Sequence, residues 1–266
     1  MSKIIVLPPI MKNKRGTTSN RKRKMLKTRI LKCLKILFLY LPLLFVATSF
    51  FWILILKWVP VWYTPLMAIR SIENVGDETF KTHKKWMPLE MISPNMVMAV
   101  IASEDNRFME HKGFDWIEIN NAFDAEKMGK RLRGASTISQ QTAKNVFLIP
   151  SRSWVRKGLE AWFTVGIEYI WGKKRIMEVY LNVAEMGKGY YGAEAAAQNL
   201  FKKSAQKLTQ RESALIAATL PNPLRRRADR PGPYVSTRAT DIQDLMNKVA
   251  RPEWLDNNKN IKQKKK

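Results

Sequence analysis

The sequence has very little of the residues that build disulfide frameworks and metal sites. Of 266 residues, one is a cysteine, Cys33, and two are histidines, His83 and His111. A single cysteine excludes an internal disulfide and says nothing about the redox compartment. So few cysteine and histidine ligands argue against a structural zinc site, and we predict no such site.

Negative charge is also scarce, and the first 72 residues contain no Asp or Glu. The chain carries 47 Lys and Arg against 22 Asp and Glu, a formal net charge of +25. A second basic run closes the sequence, at Lys262, Lys264, Lys265 and Lys266. Such an excess predicts an anionic partner, which by composition alone is nucleic acid, a lipid surface or a phosphorylated substrate.

Residues 36–56 form one uncharged apolar run, ILFLYLPLLFVATSFFWILIL. About twenty apolar residues cross a hydrocarbon core of about 30 Å as a helix, and Pro42 is tolerated near one end. A buried core helix is the alternative, but the length of the run argues against it. A cleaved signal peptide has a shorter apolar stretch and a small-residue cleavage site. We therefore predict a single transmembrane helix.

The residues on either side of this run predict its orientation. Eight Lys or Arg residues between positions 21 and 35 precede it, and only Lys57 follows it closely. Positive residues beside a span stay in the cytoplasm, and aromatics such as Trp58, Trp62 and Tyr63 occur at the membrane–water interface. We expect a cytoplasmic N-terminus and an external remainder, which disfavours nucleic acid as a partner.

Between positions 72 and 231 the sequence shows helical periods and few alternating strand patterns. The expected helices run from a Ser93-Pro94 cap to about Glu104, from Gly134 to about Phe147, from after Pro150, from about Lys173 towards Met186, and from a capping box at Thr209 and Glu212 to Pro221. In the helix after Pro150, we expect core positions at Val155, Leu159, Trp162, Phe163, Gly166 and Ile170. Beyond Arg230 we expect a loose polar tail.

Three segments combine polar residues in ways that packing alone does not require. Glu104 ends an apolar helix, where partial removal from water suits a carboxylate to act as a base; an ion pair with Arg107 is the alternative. Ser136, Gln140 and Lys144 form one helical stripe beside a second one, and such donors suit sugar and phosphate oxygens, although an ordinary solvated face is the alternative. The second stripe contains Thr137, Gln141 and Asn145. The third segment contains Arg152, Arg156, Lys157 and Glu160. For the third segment, a simple i,i+4 ion pair is the alternative.

Two further motif matches lack the context they need. Gly187-Lys-Gly189-Tyr-Tyr-Gly192 satisfies the dinucleotide-binding pattern but is predicted to follow a helix, so we expect these glycines to shape a turn between helices. Ser204-Ala-Gln-Lys207 satisfies the pattern of penicillin-binding serine enzymes, but no K-T-G follows it.

In their order, EDNRFMEHKG, GASTISQQTAKN, RKGLE, KKRIMEVYLN and MGKGYYGAEAAAQNLFKK resemble the successive signatures of the peptidoglycan glycosyltransferases, which also occur as a domain of penicillin-binding proteins. The resemblance covers roughly residues 72–230. It implies a mainly α, lysozyme-like domain with a cleft and a membrane-facing jaw. With no penicillin-binding domain attached, we expect the monofunctional form. The expected organisation is a basic cytoplasmic segment (1–35), a transmembrane helix (36–56), the glycosyltransferase domain (57–230) and a basic polar tail (231–266).

The resemblance also implies roles for individual residues. Glu104 matches the catalytic base and Glu160 the second carboxylate, while Lys144 and Arg152 match residues that hold the donor pyrophosphate. Positions that support the first motif or line the cleft, and so are expected to assist substrate binding, are Asp105, Phe108, His111, Ser136, Gln140, Gln141 and Asn145.

The expected function is polymerisation of lipid II into linear glycan strands, with inversion at the anomeric carbon. The alternatives are a membrane-bound muramidase and a non-catalytic scaffold for cell-wall assembly. No cofactor is expected, apart from an open question of a divalent cation near Glu160. Expected partners are lipid-linked glycan, the membrane, and cell-wall synthesis or division proteins. The expected location is the bacterial cytoplasmic (inner) membrane, with the domain on the periplasmic side.

Overall fold

The structure, a computed structural model, describes residues 15–129 and 136–255, with side-chain environments from residue 23 onward. It divides into two compact units, Met1–Phe51 and Trp52–Lys266. The predicted helix start at Gly134 and the basic run at the C-terminus lie outside the described residues.

The first unit is helical throughout its described part. It contains α1 (Arg15–Lys35), a π-helical turn (Ile36–Tyr40) and the beginning of α2 (Leu41–Leu56). The π-helical turn comes just before Pro42, which has no N–H to continue the regular hydrogen-bond ladder. A continuous helix of 34 residues, Arg23–Leu56, is long and apolar enough to cross a membrane, and most of its side chains are exposed. It fits the predicted single-pass anchor.

The second unit is mainly helical, as the sequence predicts. After the end of α2, its helices are α3 (Pro65–Glu73), α4 (Pro94–Glu104), α5 (Trp116–Lys127), α6 (Ile138–Phe147), α7 (Trp154–Ile170), α8 (Gly172–Val183), α9 (Ala193–Phe201), α10 (Gln210–Thr219) and α11 (Pro233–Met246). Two 3₁₀ turns, Leu89–Met91 and Ala205–Lys207, connect them.

Local capping defines where the site-bearing helices begin. Ser93 accepts a hydrogen bond from the Asn95 N–H at the start of α4, next to Pro94, as predicted. The predicted capping box of α10, at Thr209 and Glu212, is present. A second capping box opens α6: Thr137 accepts from the Gln140 N–H, and the Gln140 side chain accepts from the Thr137 N–H.

The core lies around α4. Every residue of α4 from Met96 to Ser103 is buried, because α10 and α11 pack directly against this helix. The sequence prediction of a loose tail after Arg230 is therefore wrong for α11, whose buried residues are Val235, Ala239, Ile242 and Met246. Their spacing of three, four and seven residues is a helical stripe, which only its contact with α10 and α4 makes a core element.

The GKGYYG motif forms a small sheet instead of a turn between helices. Strand β2 (Glu185–Gly187) pairs antiparallel with β3 (Tyr190–Tyr191), and β1 (His83–Lys84) pairs with β3 in parallel. The predicted helix towards Met186 ends earlier, at Val183. The chain turns because Gly189 adopts a φ of +75°, a conformation that glycine tolerates.

Helix α7 is less buried than its apolar residues predicted. Phe163 is 7% exposed, but Val155 is 75% and Trp162 43% exposed. Helix α6 packs against α7 and α8, and the Phe147 ring of α6 stacks on Phe163, with 4.4 Å between the ring centroids. The apolar residues of α7 cover more than one helical face, and only the face towards α6 enters the core.

Within the second unit, the last turn of α2 is fixed by hydrogen bonds to backbone oxygens. Trp171 Nε1 donates to the Ile53 oxygen (2.7 Å), and Arg175 donates to the oxygens of Leu56 (2.9 Å) and Val59 (2.7 Å). Gly166 gives Ile53 room, since a Cβ there would lie 2.5 Å from Ile53 Cδ1.

Candidate active site

Glu104, the last residue of α4, lines a cavity of about 310 Å³. Its Oε1 accepts a hydrogen bond from Ser103 Oγ (3.1 Å), and its Oε2 accepts one from Gln141 Nε2 (3.0 Å). Arg107, the alternative partner, pairs instead with Glu110 and Asp115. Within the described ranges no cation forms an ion pair with Glu104, so its carboxylate is oriented by neutral donors and is available to accept a proton.

Tyr180 of α8 fixes the orientation of the Gln141 amide. The buried Tyr180 hydroxyl donates to Gln141 Oε1 (3.2 Å). Burial raises the pKa of Tyr180 well above its usual value, and the nearby charges of Glu104 and Asp105 add to this effect. The hydroxyl therefore remains a donor, and Gln141 must turn its NH₂ group, rather than its oxygen, towards Glu104.

Asp105, His111 and Phe108 hold the first motif against α6 and do not line the cavity of Glu104. His111 Nδ1 accepts from the Gly113 N–H (3.1 Å), so its Nε2 carries the proton and donates to Asp105 (2.9 Å). Asp105 also accepts from the Ile138 N–H (2.9 Å), at the positive end of α6. Phe108 is fully buried. All three side chains form internal hydrogen bonds or pack in the core, and their predicted role in substrate binding stays a prediction.

A second cavity, of about 380 Å³, collects positive charge. Lys144, Asn145, Arg152 and Arg156 line it, together with Leu66, Leu148, Pro150 and Ser151. Burial lowers the pKa of Lys144, an effect that Glu160 opposes and Arg156 adds to. Among the side chains that the structure describes, none forms a hydrogen bond with the Lys144 ammonium. Three cations around one cavity suit a doubly charged anion such as a pyrophosphate.

Glu160 is 3% exposed and pairs with Arg156, which lines this second cavity. It accepts hydrogen bonds from Arg156 Nη1 (2.6 Å) and from Lys157 Nζ. The predicted i,i+4 pair is therefore present, and it positions Arg156, which also donates to the Ser151 oxygen (2.6 Å), at the cavity wall. Glu160 acts here as an anchor for cations.

The donor set around Glu160 does not suit a divalent cation. Both carboxylate oxygens already bind positive side chains, and Lys144 adds a third positive charge nearby. A second group of possible ligands, Asp105, His111 and Asp115, is equally committed. Asp115 caps α5 by accepting from two backbone N–H groups, and both nitrogens of His111 are hydrogen-bonded.

The two cavities share helix α6. Gln141 reaches the Glu104 cavity, and Lys144, three residues or about 4.5 Å further along the axis, lines the cationic one. Ser136 and Asn145 line the first and the second cavity respectively, as their predicted cleft positions require. Gln140 is mostly buried, and its side-chain oxygen serves the capping box of α6.

Sequence reasoning missed three residues of the site. Tyr180 lies in KKRIMEVYLN, a quoted motif, but its contact with Gln141 joins positions 39 residues apart. Tyr234 and Arg238 of α11 line the Glu104 cavity, and Arg238 Nη2 donates to the Ser103 oxygen (3.3 Å). The Gly232-Pro233 helix start was the available signal for α11.

A carboxylate in one cavity and a cluster of cations in the next suit group transfer from an anionic donor. A family model described as Transglycosylase matches residues 70–247 and so includes α11. Proteins named biosynthetic peptidoglycan transglycosylase are similar: that of Bdellovibrio bacteriovorus is 55% identical over 78% of this chain and 82% of its own length. Those of Bacteroides thetaiotaomicron and Caulobacter vibrioides are 53% and 49% identical, over 79% and 85% of this chain and 86% and 96% of their own. The chain belongs to the transglycosylase family.

Proposed function

We propose that this protein is a membrane-anchored peptidoglycan glycosyltransferase that polymerises lipid II into linear glycan strands. The observation that carries the proposal is that the cavity of Glu104 and the cationic cavity of Lys144 both lie along one helix, α6, which contributes Gln141 to the first and Lys144 to the second. A lipid-pyrophosphate donor and a sugar acceptor would then meet between a base and a cationic leaving-group site. The names of the relatives support peptidoglycan as the substrate.

In the proposed reaction, an acceptor sugar hydroxyl attacks the anomeric carbon of the donor. Glu104 takes the hydroxyl proton as the new carbon–oxygen bond forms, and the bond to the lipid pyrophosphate breaks. Lys144, Arg152 and Arg156 stabilise the negative charge that develops on the departing pyrophosphate. Direct displacement inverts the configuration of the anomeric carbon.

Glu160 makes the muramidase alternative less favourable. A hydrolase of that type uses two carboxyl groups, one of which carries a proton and acts as the general acid. Both oxygens of Glu160 instead accept hydrogen bonds from Arg156 and Lys157. The cations around Glu160 suit a leaving group that is already an anion, which needs positive charge more than a proton.

We further propose that the N-terminus is cytoplasmic and the second unit is external. The basic residues before the span and the exposed Trp58, Trp62 and Tyr63 after it support this orientation. The bacterial inner membrane is the proposed location. A reporter fused at Lys266 should read as external, and a cytoplasmic reading would contradict the topology.

The test is incubation of purified full-length protein with lipid-linked disaccharide precursor, followed by sizing of the product. Long strands are expected. A muramidase would instead shorten existing strands, and a scaffold would change neither the precursor nor existing strands. The Glu104→Gln variant keeps the shape and removes the basicity, so turnover should fall by at least ~10²-fold with an unchanged melting temperature. Near-normal polymerisation by that variant would refute the assignment of the base.

A further inference from the structure

A third cavity, of about 260 Å³, lies outside the site described above and is lined by the GKGYYG turn, β1 and residues 223, 224 and 226–228. Gly189 lets the turn lie close to the segment before β1, since a Cβ there would lie 2.4 Å from the Lys81 backbone oxygen. The Gly189 oxygen accepts a hydrogen bond from the His83 N–H (2.8 Å), which holds the turn against β1. The motif therefore shapes a cavity wall.

The lining is basic and only partly neutralised. Lys188 pairs with Asp77 (3.1 Å), and Arg227 pairs with Asp229 through two hydrogen bonds (3.0 and 2.6 Å). Lys81 and Arg226 also line the cavity, and neither has an acidic partner in the described part of the chain.

Arg226 points more directly to a ligand. Its Nη1 is buried and has no hydrogen-bond partner among the described residues. Buried donors are nearly always satisfied in folded proteins, and a ligand in the cavity that Arg226 lines would supply the acceptor that the described residues do not. A guanidinium fork best matches the paired oxygens of a carboxylate or a phosphate.

Arg226 also connects this cavity with the acceptor side of the site. Its guanidinium carbon lies 4.1 Å from the ring centroid of Tyr234, and Tyr234 lines the cavity of Glu104. A group attached next to the reacting sugar would therefore extend past Tyr234 towards Arg226. The cationic cavity for the pyrophosphate has separate walls, formed by α6 and the loop before α7.

We propose that this third cavity binds a carboxylate of the short peptide attached to the acceptor glycan, with Arg226 as its main contact and Lys81 at the rim. This proposal rests on the proposed function. It assigns acceptor selection to a peptide contact, separate from the chemistry at Glu104. Phe80 and Tyr190 would pack against the aliphatic part of the peptide.

The experiment compares kcat/KM for two lipid-linked disaccharide precursors, one with its peptide and one from which the peptide has been removed. Full-length wild type should prefer the peptide-bearing precursor. Arg226→Gln should reduce that preference roughly tenfold, the expected loss of one hydrogen bond between charged groups. Arg225→Gln, an exposed neighbour that does not line the cavity, is the matched control and should keep the preference.

An equal loss on both precursors would overturn the proposal, because it would indicate a structural role or a phosphate ligand common to both. An unchanged preference in Arg226→Gln would overturn it too. If Arg226→Gln does not fold, Lys81→Gln at the exposed rim provides the same comparison. Failure of the wild type to polymerise either precursor would instead contradict the proposed function.

Discussion

We predict that the buried charge of Lys144 lowers the unfolding free energy of the protein and also supports catalysis. Burial lowers the pKa of its ammonium, so at neutral pH the fold holds a charge in a place that disfavours it. Lys144→Met keeps a similar unbranched shape and removes that charge. We therefore expect the melting temperature to stay the same or rise.

The pH dependence of this effect has a definite sign. Between the lowered folded pKa of Lys144 and its unfolded value of 10.5, the unfolded chain binds more protons than the folded one. The unfolding free energy of the wild type therefore rises with pH in that window, and the stability advantage of the Met variant should narrow as pH rises towards 10.5. Urea unfolding of both proteins at several pH values measures the difference in unfolding free energy between them.

Catalytic efficiency should fall in Lys144→Met, although the melting temperature should not. A hydrogen bond between an ammonium and a pyrophosphate oxygen is worth about 1.5–3 kcal/mol, so kcat/KM should fall roughly 10- to 100-fold in Lys144→Met. Lys144→Arg keeps its charge at high pH and should therefore shift the alkaline limb of the pH profile of kcat/KM to higher pH. Parallel losses of stability and activity in the Met variant, or full activity, would refute this reasoning.

Three further substitutions test other parts of the structure. Tyr180→Phe frees the Gln141 amide to rotate, so kcat should fall about tenfold with a change in unfolding free energy of only about 1 kcal/mol; an unchanged kcat would argue against a positioning role. Gly189→Ala and Gly76→Ala each place a side chain at a positive φ, which should lower the unfolding free energy by about 1–2 kcal/mol. Gly189→Ala should lower it by more than that, since only its Cβ would lie 2.4 Å from a backbone oxygen. Ile242→Ala should lower the unfolding free energy by about 2–5 kcal/mol and exposed Asp241→Ala by almost nothing, whereas a loose tail would tolerate both.

Much of the fold follows from local signals. The caps at Ser93 and Thr209 and the long apolar run at residues 36–56 act over a few neighbouring residues, so their effects can be read without the tertiary structure. Other elements depended on distant partners. Strand β3 is two residues long and exists only because β1 and β2 pair with it, so no period could have revealed it.

The site divides in the same way. The sequence by itself determined which residue types we predict to carry the chemistry: a carboxylate at the end of an apolar helix and the basic residues from Lys144 to Lys157. Only the tertiary structure decided their surroundings, because burial and hydrogen bonding depend on segments far apart in the chain. It committed Asp105 and His111 to internal bonds, turned Gln141 towards Glu104 through Tyr180, and brought α11 to the wall of the Glu104 cavity.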